Sequence, residues 1–467
     1  LNKLQTLEPL TKKPLKGPLF TDGTAIGDMA FMKVDGKSDI AISTTVYHIE
    51  LTNLDPTSII AKIQNADLVA LLELAGEKAY AQGKIDVDVN FKNIKVHELD
   101  GNILLATKEG KLNNTLMSKE FDLDITATKF SMNLDAKLKG DDVNYVYSLN
   151  SNLAKITSAG NIVPEPLKVD VTYSLDIKEL AVLKPIIKED VRGPFTLDGT
   201  AKGTQKNMIV EGVSDIASSD TQFSTILKDN KPVSLNASIE NLKIEKLLYM
   251  LKQPHYGDGI LSLNIDMDDL RKGNLKGHVI SNIKNGLLDS KYLTKEQGFK
   301  TMMPKTTFNV ITNTTLNGDM TETKLNLKST LMTLDIENAK YDLEKKSIES
   351  DFKTTIVDLD NLFFITERHL KGAITLNGEI KKDKDLDLKV HSSVAGGSLD
   401  AKMFNDELHV DLKSIQTLKA LEMLIYPEVF ASSLNGVIDY NTKKQKGKFN
   451  GSLVDGKFTP NAMLSLV

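Results

Sequence analysis

Apolar and polar residues alternate strictly along several stretches of this chain. Between residues 85 and 91, the side chains Ile, Val, Val and Phe are separated by Asp, Asp and Asn. A period of two predicts a β-strand with one apolar and one solvated face. The same pattern returns near residues 167–177, 261–267 and 386–390. It therefore predicts antiparallel sheet whose strands each present one apolar face.

The apolar positions of these stretches are the residues that we predict to line a common surface. They are, in chain order, Ile85, Val87, Val89, Phe91, Val169, Val171, Tyr173, Leu261, Leu263, Ile265, Leu386, Leu388 and Val390.

Helical patterns are few and short. Asp55-Pro56 has the composition of a helix start, and the apolar residues that follow predict an amphipathic helix as far as Leu72. Four further patches with the pattern L-x-x-L are predicted at residues 180–187, 242–251, 359–365 and 418–425. With a short helix or turn near the amino terminus, we expect about six helices.

One motif recurs at a nearly constant step. It begins with a glycine, continues through an apolar run and ends in Asx-Gly, and its first glycines are Gly17, Gly193 and Gly372. Asx-Gly favours a tight hairpin turn, so each copy is interpreted as a strand that leads into such a turn. The steps predict three β repeats, at 1–176, 177–355 and a shorter one at 356–467, in one continuous elongated structure.

The number of strands decides the fold prediction. At ~12 residues per strand and turn, about 25–32 strands are expected, and about six short helices cannot cover their apolar faces. The faces could pack as sandwiches of about 90 residues, two per copy, or close into barrels. They could also stay open to meet an apolar ligand. Few aromatic residues (6%) and no Trp disfavour sandwich cores. The predicted fold is therefore mainly β: a repetitive, long, curled antiparallel sheet that forms an open apolar groove.

Composition excludes several classes of function. A net charge of −5 without a basic block argues against nucleic acid as a partner. The absence of Cys excludes disulfides and thiol chemistry. No window approaches 18 consecutive apolar residues, so we expect any membrane anchor to lie outside these 467 residues.

The residues that carry chemistry are scattered. None of the seven histidines has a neighbour at metal-ligand spacing, and the acidic runs lack the loop pattern of a calcium site. Gly396-Gly397 lacks the residues of a phosphate-binding loop and is interpreted as a turn or bulge. We predict no catalytic residue, no metal and no cofactor, and we do not expect an enzyme.

The combination of L-x-x-L, a glycine, Asx-Gly and one-faced strands resembles the AsmA-like/TamB-like group of bacterial envelope proteins. The residues that carry the resemblance are Leu180, Leu183, Gly193, Asp198 and Gly199, with their counterparts around Gly17 and Gly372.

The resemblance implies a protein of the Gram-negative periplasm, anchored in the inner membrane and carrying phospholipid between inner and outer membranes. Its partners would be phospholipid or another acyl-chain lipid, the inner membrane and, in addition, envelope proteins. The alternative is a periplasmic scaffold whose repeats bind protein partners.

Overall fold

Alternation along the chain produces strands almost everywhere in the structure. The computed structural model describes residues 18–123 and 125–460, and their 26 strands belong to one antiparallel sheet. The first and last strands are edges of that sheet, each with a single neighbour among the described residues. The prediction of a mainly β protein with an open antiparallel sheet is confirmed, and the sandwich alternative is wrong.

Internal contacts divide the chain into two units. The first holds the residues up to Pro232 together with Tyr249–Gln253, and the second holds the rest. The strands of the first unit are β1 (Thr21–Gly27), β2 (Phe31–Ser38), β3 (Thr44–Thr52), β4 (Asp55–Asp67), β5 (Ala81–Asn93), β6 (Asp100–Leu112), β7 (Lys129–Lys139), β8 (Asp142–Ser151), β9 (Ala154–Val163), β10 (Lys168–Ile177), β11 (Phe195–Thr204), β12 (Asn207–Ser214) and β13 (Asp220–Lys228).

The second unit has the same kind of meander, in which each strand pairs with the next one along the chain. Its strands are β14 (Lys231–Lys243), β15 (Gly257–Asp269), β16 (Lys276–Leu288), β17 (Thr307–Asn317), β18 (Met320–Ser329), β19 (Thr333–Asp342), β20 (Ser347–Ile356), β21 (Ile374–Lys382), β22 (Leu386–Val394), β23 (Gly397–Phe404), β24 (Glu407–Gln416), β25 (Phe430–Asn441) and β26 (Lys446–Phe458).

All helices of the described residues follow an even-numbered strand, so in each unit they lie at the same end of the strands. We call this end the helical rim and the opposite end, where short turns join the strands, the hairpin rim. The α-helices are α1 (Leu68–Leu74), α2 (Asn114–Phe121), α3 (Lys184–Ile187), α4 (Ile244–Met250), α5 (Ser290–Glu296), α6 (Phe363–Thr366) and α7 (Thr417–Met423). Short 3₁₀ turns at Ile40–Ile42, Leu180–Leu183, Ile216–Ser218 and Leu359–Leu362 lie at the same rim.

The order of elements repeats along the sequence. The helices α1, α2 and α3 follow β4, β6 and β10, and the helices α4, α5 and α6 follow β14, β16 and β20. A ten-strand period therefore underlies the repeated motif. The two contact-defined units do not coincide with the three predicted copies, whose boundaries stay a prediction.

The predicted helix from Asp55 to Leu72 is wrong over most of its length. Residues 55–67 form β4, and the helix covers only Leu68–Leu74. The run contains β-branched residues in period two: Ile59 and Ile63 lie on the less exposed face, whereas Ile60 is 47% exposed. The helix cap is Asp67, whose carboxylate accepts hydrogen bonds from the N–H groups of Val69 and Ala70.

The four predicted L-x-x-L helices are found. Residues 180–187 and 359–365 each form a 3₁₀ turn followed by a short helix, α3 and α6 respectively. Residues 242–251 and 418–425 contain α4 and most of α7, respectively. The predicted amino-terminal turn and the glycine Gly17 lie outside the described residues.

The turn interpretation of the repeated motif is also wrong. Asp198-Gly199 and Asn377-Gly378 lie inside β11 and β21, where both glycines are paired on both sides. Asx-Gly forms a hairpin as predicted at Asn317-Gly318, between β17 and β18. Gly396-Gly397 belongs to the turn into β23, as the sequence predicted.

Candidate functional site

The register of the first unit gathers the predicted lining residues of β5 and β10 on one face. Val87 is opposite Ile63 of β4 and Leu105 of β6, and Val171 is opposite Gly160 of β9 and Ala201 of β11. The intervening strands continue the same face with residues such as Leu134 and Tyr147. Seven predicted residues, Ile85, Val87, Val89, Phe91, Val169, Val171 and Tyr173, therefore belong to one surface.

The second unit repeats this arrangement. Leu263 is opposite Ile239 of β14 and Ser281 of β16, and Val390 is opposite Gly378 of β21 and Ala401 of β23. The six predicted residues of this unit, Leu261, Leu263, Ile265, Leu386, Leu388 and Val390, share one face. We call this side of each unit the apolar face and the other side the polar face.

The apolar face is almost free of charge. At the regularly paired positions that the structure describes, the charged side chains lie on the polar face, except for Lys382 at the end of β21. On the polar face, charges pair across neighbouring strands, as in Lys33–Glu50 at 3.1 Å, Lys202–Asp170 at 2.9 Å and Lys389–Glu379 at 3.1 Å. Such exposed pairs contribute little stability, so the charge asymmetry is a property of the surface rather than a source of stability.

Among the described residues, no second layer packs on the apolar face within either unit. Within either unit, strands make extensive contacts only with their neighbours in the sheet and with the rim helices. Twelve of the predicted lining residues are half-buried or at the limit of burial, and only Ile85 is clearly buried, at 6% exposure.

The size of this face follows from the strand count of each unit. Thirteen strands at ~4.8 Å span about 60 Å, and four apolar side chains per strand cover ~20 Å along it. The apolar area is thus on the order of 1,000 Å², whereas the largest patch on a typical monomer is about 300–600 Å². A face of this size is larger than the apolar patches that monomers usually expose.

The conventional core lies instead at the helical rim. Ile177 and Ala66, both 0% exposed, lie at strand ends on this rim, and Leu180 and Leu359 of the rim turns and Phe364 of α6 are 5–7% exposed. The helix α1 packs on the ends of β4 and β5, and α7 packs on those of β24 and β25. The helices therefore close one end of the sheet and leave most of the apolar face uncovered.

Glycine–aromatic pairs across neighbouring strands explain the Asx-Gly glycines of the repeated motif, Gly199 and Gly378. Tyr173 is paired with Gly199, and a Cβ placed on this glycine would lie 2.5 Å from the tyrosine hydroxyl oxygen. The pairs on the apolar face with this geometry are Gly36–Tyr47, Gly101–Phe91, Gly110–Phe130, Gly199–Tyr173, Gly212–Phe223, Gly286–Phe308, Gly378–Phe352 and Gly447–Tyr440. The glycine makes room for the ring, which lies over the neighbouring strand. Sequence reasoning missed these pairs, although glycines within otherwise regular strands were their signal.

The histidines occur in separate polar contacts rather than in one site. His48, His391 and His409 are each 2.7 Å from a carboxylate on the neighbouring strand, on the polar face. At the helical rim, His255 lies 2.6 Å from Asp258 and 3.3 Å from Asp289. The Asp258 carboxylate, followed by that of Asp289, raises the pKa of His255.

In the described residues 18–123 and 125–460, no group of three or more His, Asp or Glu side chains could hold a metal ion. No described helix is both long and apolar enough to span a bilayer.

Comparisons with known proteins leave the chain without an assigned family. No family model matches it, and neither a curated protein nor a solved structure matches it. The resemblance to the AsmA-like/TamB-like group accordingly stays a prediction.

Proposed function

We propose that this protein binds acyl-chain lipid on the apolar face of its sheet and passes it along that face. One observation carries the proposal: a face on the order of 1,000 Å² per unit, uncharged at its regularly paired positions except for Lys382, is left uncovered by the described elements of the same unit. Flexible acyl chains suit a lining of Val, Ile, Leu and Met side chains. Transfer by diffusion along such a surface requires no catalytic group and no cofactor.

The biological setting belongs to the same proposal. The resemblance of the repeated motif favours the periplasm of a Gram-negative bacterium, with phospholipid moving between the inner and outer membranes.

The experiment that tests the proposal is analysis of co-purified lipid. Protein prepared without delipidating detergent should carry phospholipid that mass spectrometry detects after organic extraction. Protein that is lipid-free, and that extracts no lipid from phosphatidylglycerol/phosphatidylethanolamine vesicles, would contradict the proposal.

A scaffold is the second candidate, and the helical rim of the second unit favours it. Ile365, Leu424, Ile425 and Tyr426 are 47–58% exposed there, as expected of side chains that contact a partner protein. A scaffold would be isolated without lipid and as an oligomer in size-exclusion chromatography with light scattering. A lipid carrier would retain lipid whatever its oligomeric state.

A further inference from the structure

Hydroxyl side chains interrupt the apolar face at the middle of three strands in the second unit. Ser281 of β16 is opposite Thr312 of β17, and Thr314 of β17 is opposite Thr323 of β18. All four are half-buried on the side that carries Leu263 and Val279. We call these four residues the hydroxyl patch.

The first unit has no cluster of Ser and Thr at the corresponding positions, where the one hydroxyl, that of Tyr145, lies 2.7 Å from the hydroxyl of Ser158. There, Leu105 of β6 is opposite Leu134 of β7, and Ala136 of β7 is opposite Tyr145 of β8. The two units have the same order of strands at this point, so the hydroxyls are not required to build the sheet. They distinguish one part of the apolar face from the other.

The hydroxyl patch has hydrogen-bonding capacity to spare. The oxygens of Ser281 and Thr312 are 2.6 Å apart, and those of Thr314 and Thr323 are 2.9 Å apart. Each pair has two O–H groups and uses one of them internally. Among the described residues these four hydroxyls form no other hydrogen bond, so each pair has one O–H donor left for a ligand or for water.

An occupant that is pure hydrocarbon would leave these donors without an acceptor, which is unfavourable in an apolar setting. An ester carbonyl oxygen would accept from them. The two pairs are about 7 Å apart along β17. That spacing is within reach of the two ester carbonyls of a diacyl lipid, which are attached to neighbouring glycerol carbons.

We propose that the hydroxyl patch binds the ester carbonyls of a diacyl lipid and makes the second unit selective for ester-linked over ether-linked chains. The inference rests on the proposed function, since it requires lipid on the apolar face. It adds a specificity determinant to a surface that is otherwise non-directional.

The experiment measures which of two lipids the full chain binds when ester-linked and ether-linked forms compete for it. Protein is incubated with vesicles that contain equal amounts of dioleoyl (ester-linked) and dioleyl (ether-linked) phosphatidylcholine, is separated from them, and its bound lipid is quantified by mass spectrometry. The wild-type protein should be enriched in the ester-linked lipid about three- to tenfold, as expected from one or two hydrogen bonds.

Substitutions in the hydroxyl patch test whether it causes the preference for ester-linked lipid. The variant Ser281→Ala/Thr312→Val/Thr314→Val/Thr323→Val removes the hydroxyls and nearly keeps the side-chain volume, so it should bind both lipids equally. Thr315→Val is the matched control, because Thr315 lies in the same strand on the polar face and is exposed. It should keep the wild-type ratio.

The outcomes separate the two proposals. Absence of any lipid from the wild-type protein contradicts the proposed function and this inference with it. Bound lipid at a ratio of one overturns the hydroxyl-patch inference alone, and so does a preference that survives in a folded fourfold variant. The wild-type ratio needs no variant, so the test stands even if that variant does not fold.

Discussion

Placing a charge on the apolar face separates an open lipid surface from a closed core. The variant Leu263→Asp changes a half-buried residue at the centre of β15, and Asn264→Asp places the same carboxylate one residue further on, on the polar face. Both residues lie in the same regular stretch of pairing with β14 and β16. The two variants therefore place a carboxylate on opposite faces of the same strand.

The expected cost in stability is small for a surface without a second layer. Leu263 forfeits about half of the value of a fully buried leucine, or ~1 kcal/mol. The poor strand preference of Asp adds at most about 1 kcal/mol. The total of about 2 kcal/mol leaves the protein folded, because water reaches the carboxylate when no lipid is bound. In contrast, Ile177→Asp at a position with 0% exposure should cost more than about 4 kcal/mol.

Lipid binding should be more sensitive than stability to the charge in Leu263→Asp. An acyl chain that covers the carboxylate of Leu263→Asp removes its hydration, which costs several kcal/mol. The amount of lipid that co-purifies at that site should therefore fall at least tenfold in Leu263→Asp. Asn264→Asp should leave it unchanged. Transfer between donor and acceptor vesicles that carry a fluorescent phospholipid gives the rate, and urea denaturation gives the stability.

Two results would refute this reasoning. If Leu263→Asp unfolds as readily as Ile177→Asp, the face is covered by protein and is not a binding surface. If Leu263→Asp and Asn264→Asp transfer lipid equally well, the apolar face is not the route.

Three further predictions concern the fold itself. Gly199→Ala should destabilise the protein by about 1–3 kcal/mol in urea denaturation, because its Cβ would lie 2.1 Å from the backbone oxygen of Glu211 and 2.5 Å from the hydroxyl of Tyr173; a neutral effect would contradict this close packing of the strands. Asp67→Ala should cost about 1 kcal/mol through loss of the helix cap, with Asp67→Asn as the control that keeps most of the capping; equal losses would point to the charge instead. The Asp258 and Asp289 carboxylates raise the pKa of His255 in the folded protein. The stability that this contact gives the folded protein is fully present below the ordinary pKa of 6.5, and it is lost as the pH rises through the higher pKa of the folded state. The difference in melting temperature between the wild type and His255→Gln should therefore be larger at pH 5.5 than at pH 8.5, and a pH-independent difference would contradict the assignment.

The sequence by itself determined the class of fold, because alternation with a period of two has only one structural meaning over long stretches. It also determined which side chains share a face, since residues 85–91 and 261–265 need only strand geometry to present their apolar members together. The four L-x-x-L helices were predictable for the same local reason.

Only the tertiary structure decided the rest. Residues 55–67 form a strand because β3 and β5 pair with them on both sides, and this outweighs the local helix signal of Asp55-Pro56. Gly199 lies inside a strand because β10 and β12 pair with it on both sides, and the backbone oxygen of Glu211 and the ring of Tyr173 occupy the space that a side chain would need. The hydroxyl patch likewise exists only through register, because Ser281 and Thr312 come together when β16 pairs with β17. Long-range pairing, rather than local propensity, places the chemistry on this sheet.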